Sequence, residues 1–287
     1  MSFIKDLQNK YKNLNVLEQL IVINVSLFIL VLILKPFLGT VLSWLELKSD
    51  FNITILQPWT ILTYAFLHYN PIHIIINMLW LYFIGKSFLN LFNPKTALNV
   101  YFLGAISGGI VFLLGYNLVP TFFKESAYVV GASAAVRALM IFLCAYMPKQ
   151  EVPLFSFKLK LGHVGLALVA FDVMGLFGDN SGGNLAHLGG DALGYIYTTQ
   201  LIKGNDIGKG FEKLMDTIVS WFKPSKKTPF KKVHKTKRKS KVAGVKKEDF
   251  DQFSKQKKID LILDKIAKNG YDSLTAEEKE FLFRAGK

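Results

Sequence analysis

Three short motifs carry side chains that could act together in nucleophilic chemistry. They are Gly131-Ala132-Ser133-Ala134-Ala135, Ala186-His187-Leu188-Gly189-Gly190 and His68-x4-His73-x3-Asn77. A serine nucleophile needs a base in contact with its hydroxyl, and a histidine of ordinary pKa, about 6.5, is mostly neutral and available for that role near pH 7. His73 and Asn77 are four residues apart, so they share one helix face and could both donate to a developing oxyanion.

Each motif lies where an apolar segment begins. A helix needs about 20 mostly apolar residues to cross a membrane, and the sequence contains six such candidates: Leu17–Leu38, Pro71–Phe92, Thr96–Leu118, Gly131–Met147, Leu161–Phe177 and Asn184–Ile202. The sequence therefore predicts an all-α, polytopic membrane helix bundle with six transmembrane helices, formed by residues 1–202. Polar side chains inside a membrane are costly and tend to face the bundle interior, which favours a site at the three motifs.

Composition excludes a single soluble globule. Hydrophobic residues make up 51% of the chain and charged residues 20%, and the charge is concentrated after residue 202. Cys144 is the single cysteine, so no internal disulfide is possible.

Lysines in alternate loops, at Lys95, Lys149 and Lys158, fall on the side of the basic tail, so the positive-inside rule predicts cytoplasmic termini. The three motifs then share one depth near the outer face, and a bacterial plasma membrane is the expected location.

The tail has a different composition. Residues 203–287 contain 23 Lys/Arg and 12 Asp/Glu, a net charge of +11. Residues 203–256 are predicted to be a basic, disordered linker that could bind anionic lipid; without interleaved aromatics, no nucleic-acid binding is expected. Residues 257–287 predict a small cytoplasmic helical hairpin. Its signals are apolar residues at helical spacing, Gly270 as a C-cap, and a capping box at Thr275 and Glu278.

The motifs resemble those of the rhomboid intramembrane serine proteases. The resemblance covers about residues 59–197 and rests on four elements in order: the run from Trp59 to His68, His73-x3-Asn77 with the following Met78-Leu79-Trp80, Gly131-Ala132-Ser133, and His187-x2-Gly190-x3-Gly194. A lone G-x-S motif is weak, whereas all four in this order are specific.

The resemblance implies a Ser–His dyad without a third acid. Ser133 would be the nucleophile and His187 the general base, and His73, Asn77 and the Ser133 backbone N–H would stabilise the oxyanion. It implies cleavage of transmembrane or membrane-adjacent segments of client proteins in the bilayer, with no cofactor and no metal. Two positions depart from the family pattern: Ala134 replaces the usual glycine after the nucleophile, and Thr60 replaces a frequent arginine.

Other interpretations remain open for the same residues. A rhomboid-like protein that binds and escorts clients without cleaving them is the main alternative, and a transporter with polar groups in broken helices is another. Ser133 alone could cap a helix or fill a small space. We expect His68 to bond loop backbone, and Gly131, Gly190 and Gly194 to be structural, the last two through close helix packing.

Two charges lie outside the motifs. Arg137 follows Ser133 by four residues, and Asp191 follows His187 by four, so contact between Ser133 and His187 would bring both charges to one height. A charged residue at the centre of a membrane helix costs about 2.5–3.5 kcal/mol on insertion scales. The sequence therefore predicts a structural salt bridge beneath the dyad. Alternatively, Arg137 bonds backbone or water, or pairs with Asp172.

Overall fold

The computed structural model describes residues 2–123, 127–154, 157–222, 241–242, 245–246 and 255–285. Most of these residues are helical. The helices are α1 (Ser2–Asn13), α2 (Val16–Leu42), α3 (Phe51–Leu56), α4 (Thr60–Thr63), α5 (Pro71–Leu91), α6 (Pro94–Leu118), α7 (Ser133–Tyr146), α8 (Leu161–Gly175), α9 (Ser181–Ile202), α10 (Lys209–Phe222), α11 (Lys255–Asn269) and α12 (Ala276–Ala285).

The strands are short antiparallel pairs. β1 (Leu47–Lys48) pairs with β2 (Tyr128–Val129), β3 (Glu151–Leu154) with β4 (Phe157–Lys160), and β5 (Lys241–Val242) with β6 (Val245–Lys246). The first pair joins the loop after α2 to the loop before α7. It therefore connects two segments that flank the motifs predicted to be functional.

Local sequence signals explain the helix boundaries. The Asn15 side chain accepts from the backbone of α2, and the Glu18 carboxylate returns to the Asn15 N–H in a capping box. Asn70 and Asn93 cap α5 and α6, each followed by proline at the first helical position, where its missing N–H is not needed. Pro36 lies inside α2, and Leu38 just beyond it has non-helical dihedral angles.

All six predicted apolar segments are helical, but they differ in length and composition. Three helices, α2, α5 and α6, are long and apolar enough to cross a membrane by those criteria among the described residues. α7 and α8 are apolar but shorter. α9 has 22 residues and carries the polar His187 and Asp191.

Helix α7 lies at the centre of the first unit, which runs from Met1 to Lys223. Eleven of its residues, from Ala134 to Cys144, are buried. Its neighbours approach closely because they present glycine: a Cβ on Gly190 would lie 2.2 Å from the Ala134 carbonyl oxygen, and one on Gly194 would lie 2.4 Å from that of Ala138. The packing expected for Gly190 and Gly194 is therefore present.

The expected linker differs from the structure at its start. Helix α10 occupies part of the segment predicted to be disordered, and it packs on α6 through a Lys95–Glu212 ion pair and through Phe102 and Phe211, whose ring centroids are 6.3 Å apart. An amphipathic segment forms a stable helix when its apolar face packs against a neighbouring helix. Of the remaining linker, the structure describes residues 203–208, β5, β6 and residues 255–256, and the other positions lie outside the described residues.

The second unit runs from Pro224 to Lys287 and contains α11 and α12. Ile262 and Leu274 are its buried apolar residues among those described. Gly270, with φ of +78°, lies just beyond α11, and the Thr275–Glu278 capping box opens α12. The local signals expected at Gly270 and Thr275 are confirmed.

Close packing at Gly104 gives a first prediction. A Cβ there would lie 2.4 Å from the Ala138 Cβ, closer than two methyl carbons can approach. We expect Gly104→Ala to lower the free energy of unfolding in detergent micelles by about 1–3 kcal/mol. Adding Ala138→Gly should recover stability by removing the opposing methyl.

Gly39→Ala is the matched control, because a Cβ there meets nothing within 4 Å. It should leave stability unchanged or slightly higher. A double variant no more stable than Gly104→Ala alone would contradict the packing explanation.

Candidate active site

The predicted site residues converge on one cavity. It has a volume of about 600 Å³, and its lining includes His73, Asn77, Ser133, Asp172 and His187. α5 supplies His73 and Asn77, while α7 and α9 supply Ser133 and His187. The three motifs, far apart in sequence, thus meet in one space.

Ser133 is the first residue of α7. The first N–H groups of a helix have no acceptor within the helix, so the backbone N–H of Ser133 is available to a ligand in the cavity. Among the described residues, no hydrogen bond joins the Ser133 hydroxyl to the His187 ring. Catalytic hydrogen bonds are often long in unliganded sites and tighten when substrate binds.

Gly131 shapes the turn that precedes Ser133. Its φ is +123°, a conformation that favours glycine, and its N–H donates to the Tyr64 carbonyl oxygen at 2.9 Å. A Cβ at this position would lie 2.5 Å from Cε1 of His73. Gly131 therefore lets the His73 ring stand directly against the turn that carries Ser133.

His68 holds the same turn from the other side. Its Nε2 accepts from the backbone N–H of Ala132 at 3.2 Å, and the Asn77 amide nitrogen lies 3.4 Å from it. The side chain is fully buried, with its ring 5.2 Å from that of His73. The expectation that His68 bonds loop backbone is confirmed.

Asn77 also donates to the carbonyl oxygen of His73 at 3.0 Å. Its amide has two N–H groups, and the longer contact, to His68, is the weaker. An oxyanion in the cavity could replace that weaker partner. The geometry thus leaves Asn77 able to donate, at the cost of a long hydrogen bond.

The methyl group of Ala134 is accommodated by a glycine on the neighbouring helix. Ala134 is buried, and a Cβ added to Gly108 of α6 would lie 2.5 Å from its methyl carbon. Gly108 therefore provides the space that Ala134 needs where the family pattern has glycine. The methyl therefore points into helix packing and is not among the groups that line the cavity.

Arg137 and Asp191 form the predicted pair. The Arg137 Nε donates to one Asp191 carboxylate oxygen at 3.0 Å, and Nη2 donates to the other at 2.7 Å. Nη2 also bonds Asp172, the alternative partner. Both carboxylates share one buried guanidinium, so the prediction of a single pair was incomplete.

Asp172 also contacts the predicted base. Its Oδ1 lies 2.9 Å from Nδ1 of His187, so an acid faces this histidine although the resemblance implied none. The sequence pattern indicates Asp172 only as an alternative partner of Arg137. The available signal was its type and place: it is the one acid in α8, and intramembrane acids mark functional sites.

Comparisons with known proteins agree with these motifs. Residues 56–204 match the Rhomboid domain model, and residues 249–285 match a family of unknown function (DUF6576). The chain is 31% identical to RHOMBOID-like protein 12, mitochondrial, of Arabidopsis thaliana over 157 residues, which is 50% of this chain and 47% of that protein.

Two further relatives align with about half of this chain. Presenilin-associated rhomboid-like protein A, mitochondrial, of Danio rerio is 29% identical over 46% of this chain and 35% of its own length. The rhomboid protease GlpG of Yersinia enterocolitica is 27% identical over 61% of this chain and 58% of its own. The matched region thus spans less than two thirds of each relative.

The free energy of unfolding should depend on pH because the pKa of His68 is lowered in the folded protein. Burial, with a smaller contribution from neighbouring His73, lowers the pKa of His68 to about 4, whereas an unfolded histidine has a pKa of about 6.5. The unfolded chain takes up the proton first, so stability is full above about pH 6.5 and falls as the pH drops towards 4. We expect this residue to remove about 2 kcal/mol between pH 7 and pH 5.

The measurement is the unfolding free energy against pH in detergent micelles, in a Ser133→Ala background with and without His68→Gln. Glutamine can accept from the Ala132 N–H but does not titrate. The variant should therefore show a shallower loss over this window. Equal pH slopes in the two proteins would exclude His68 as the cause.

Proposed function

This chain belongs to the rhomboid family, and we propose that it acts as an intramembrane serine endopeptidase that cleaves transmembrane or membrane-adjacent segments of client proteins. Its family model covers residues 56–204, just over half of the chain. Together with its long apolar helices, this identifies a multi-pass membrane protein. The observation that carries the proposal is the convergence of Ser133, His187, His73 and Asn77 on one cavity.

The proposed reaction begins with attack of the Ser133 hydroxyl oxygen on the scissile carbonyl. Nε2 of His187 takes the hydroxyl proton and later gives it to the leaving amine. The resulting acyl-enzyme is then hydrolysed by water, with His187 again acting as the base. The chemistry needs only these side chains and water, so no cofactor or metal takes part.

Stabilisation of the oxyanion is assigned to His73, Asn77 and the backbone N–H of Ser133. Donors aimed at the position where charge develops provide a large share of the rate enhancement in acyl transfer. The Ser133 N–H is without a helical acceptor, and the two side chains lie on the facing helix α5. This arrangement supports an oxyanion hole on the α5 side of the cavity.

We place both termini in the cytoplasm and six spans in the membrane on the basis of the loop lysines. The bacterial relative, GlpG of Yersinia enterocolitica, supports a bacterial plasma membrane as the location. Its partners are then the bilayer, membrane-spanning client proteins and, for the basic run from Lys223 to Lys247, anionic lipid. The relatives named as mitochondrial make another membrane the competing location.

Labelling with a serine-directed fluorophosphonate probe tests the function. Wild type should be labelled, and Ser133→Ala should not. In liposomes with a model transmembrane substrate, Ser133→Ala and His187→Ala should abolish cleavage while remaining inserted, and Asn77→Ala should lower the rate about 10²–10³-fold because one donor is lost.

Undiminished cleavage by Ser133→Ala would end the serine-protease proposal. Inert wild type that still binds membrane clients would favour the alternative, a rhomboid-like protein that escorts them. The pair Thr199→Ala and Ser133→Ala supplies a matched hydroxyl control, because the Thr199 hydroxyl bonds only its own helix backbone among the described residues and lies outside the cavity.

Truncation tests the domain assignment. Removing residues 224–287 should leave probe labelling intact, because every residue that lines the cavity belongs to the first unit. Removing residues 203–287 instead also deletes α10 and its contacts with α6, so thermal stability should fall. Loss of labelling in the shorter deletion would show that the second unit supports the site.

A further inference from the structure

Asp172 is shared between a fixed cation and the proposed base. One carboxylate oxygen accepts a hydrogen bond from Nη2 of Arg137, and the other lies 2.9 Å from Nδ1 of His187. The side chains of Asp172 and Arg137 are about nine-tenths buried, at 8% and 10% exposure. Such a carboxylate has two distinct partners, one on each oxygen.

This geometry decides which nitrogen of His187 carries hydrogen. An ionised carboxylate only accepts hydrogen bonds, and the guanidinium, which stays charged in proteins, keeps Asp172 ionised. Nδ1 must then hold the hydrogen, and the lone pair is on Nε2. Nε2 is therefore the nitrogen of His187 that is able to take a proton from Ser133, which lines the same cavity.

We infer that Asp172, from α8, is a positioning residue for catalysis, which fixes the tautomer and orientation of His187 as the base of the Ser133–His187 dyad. The inference rests on the proposed serine-protease function. Asp172 touches only His187 and Arg137 in this network, so it acts through the base and not on the substrate.

Asp172→Asn is a sharp test because Arg137 fixes how the asparagine must turn. A guanidinium only donates, so it takes the amide oxygen, and the amide NH₂ is left facing Nδ1 of His187. Nδ1 must then accept, which moves the ring hydrogen to Nε2. The variant should hold the wrong tautomer, the effect that lowers kcat about 10⁴-fold in the Ser-His-Asp template.

Asp191→Asn is the matched control. It removes the same charge from the same arginine, but both Asp191 oxygens face Arg137, and no hydrogen bond joins this residue to His187 among the described residues. The two variants therefore differ in contact with His187 and share the loss of one buried carboxylate.

Two measurements separate positioning from support of the fold. The first is kcat and KM on a model transmembrane substrate in liposomes, with fluorophosphonate labelling alongside. The second is ¹⁵N NMR of histidine-labelled protein, with His187→Ala to assign the signal. We expect an Nδ1–H tautomer in wild type. Asp172→Asn should show Nε2–H and a kcat lowered at least 100-fold with KM within threefold; Asp191→Asn should keep Nδ1–H and a kcat within fivefold.

Several outcomes would overturn the inference. An Nε2–H tautomer in wild type does so without any variant. An unchanged kcat in Asp172→Asn would also overturn it. So would an equal loss of kcat in Asp172→Asn and Asp191→Asn that follows the loss of thermal stability in each variant. If wild type is not labelled, or Ser133→Ala is labelled equally, the proposed function fails and the catalytic role of Asp172 fails with it; labelled wild type with equally labelled Asp172→Asn defeats the inference alone.

Discussion

The close approach of α7 and α9 is the constraint on which the rest of the site depends. Gly190 and Gly194 bring their own backbone against the carbonyl oxygens of Ala134 and Ala138, at distances that any Cβ would prevent. Because the two helices are locked at this height, Ser133 and His187 reach one cavity. One turn further on, the same lock brings Arg137 and Asp191 into a two-point hydrogen-bonded pair. The pair and the cavity are consequences of a single close helix contact.

The buried charges then bind a third helix to that pair. Arg137 holds carboxylates from α8 and α9 at once, and Asp172 reaches back to His187. Removing one partner of a buried ion pair typically costs about 3–5 kcal/mol, because the other charge is stranded. This makes the cluster a strong determinant of how α8 sits, since only Gly165 and Asp172 are buried on that helix. Stability and the orientation of His187 thus depend on one carboxylate.

The loop side of the cavity is built by neutral hydrogen bonds instead. His68 accepts from the Ala132 N–H, Gly131 donates to Tyr64, and His73 fills the space that Gly131 leaves. Burial keeps His68 neutral near pH 7, which its role as an acceptor requires. The turn before Ser133 is therefore fixed independently of the charged cluster, from the opposite side. The methyl group of Ala134 is likewise independent of the charged cluster, because it packs against Gly108 and not against the residues of the cavity.

The sequence by itself determined the six apolar helices, the starts of α5 and α6, and the meeting of Arg137 with Asp191. Asparagine caps, Asn-Pro steps and apolar runs set the boundaries of α5 and α6, and the offsets of four residues from Ser133 and His187 were enough to predict the Arg137–Asp191 pair. The contact between Asp172 and His187 was decided only by the tertiary structure. α8 is apolar almost all round, so no hydrophobic stripe indicates which face turns inward. The rotation of α8 about its axis is fixed by the buried Arg137 guanidinium, which needs carboxylate acceptors. This requirement arises only when α7, α8 and α9 are packed together. The order of α10 has the same origin, because its partners Lys95 and Phe102 lie more than a hundred residues earlier in the chain.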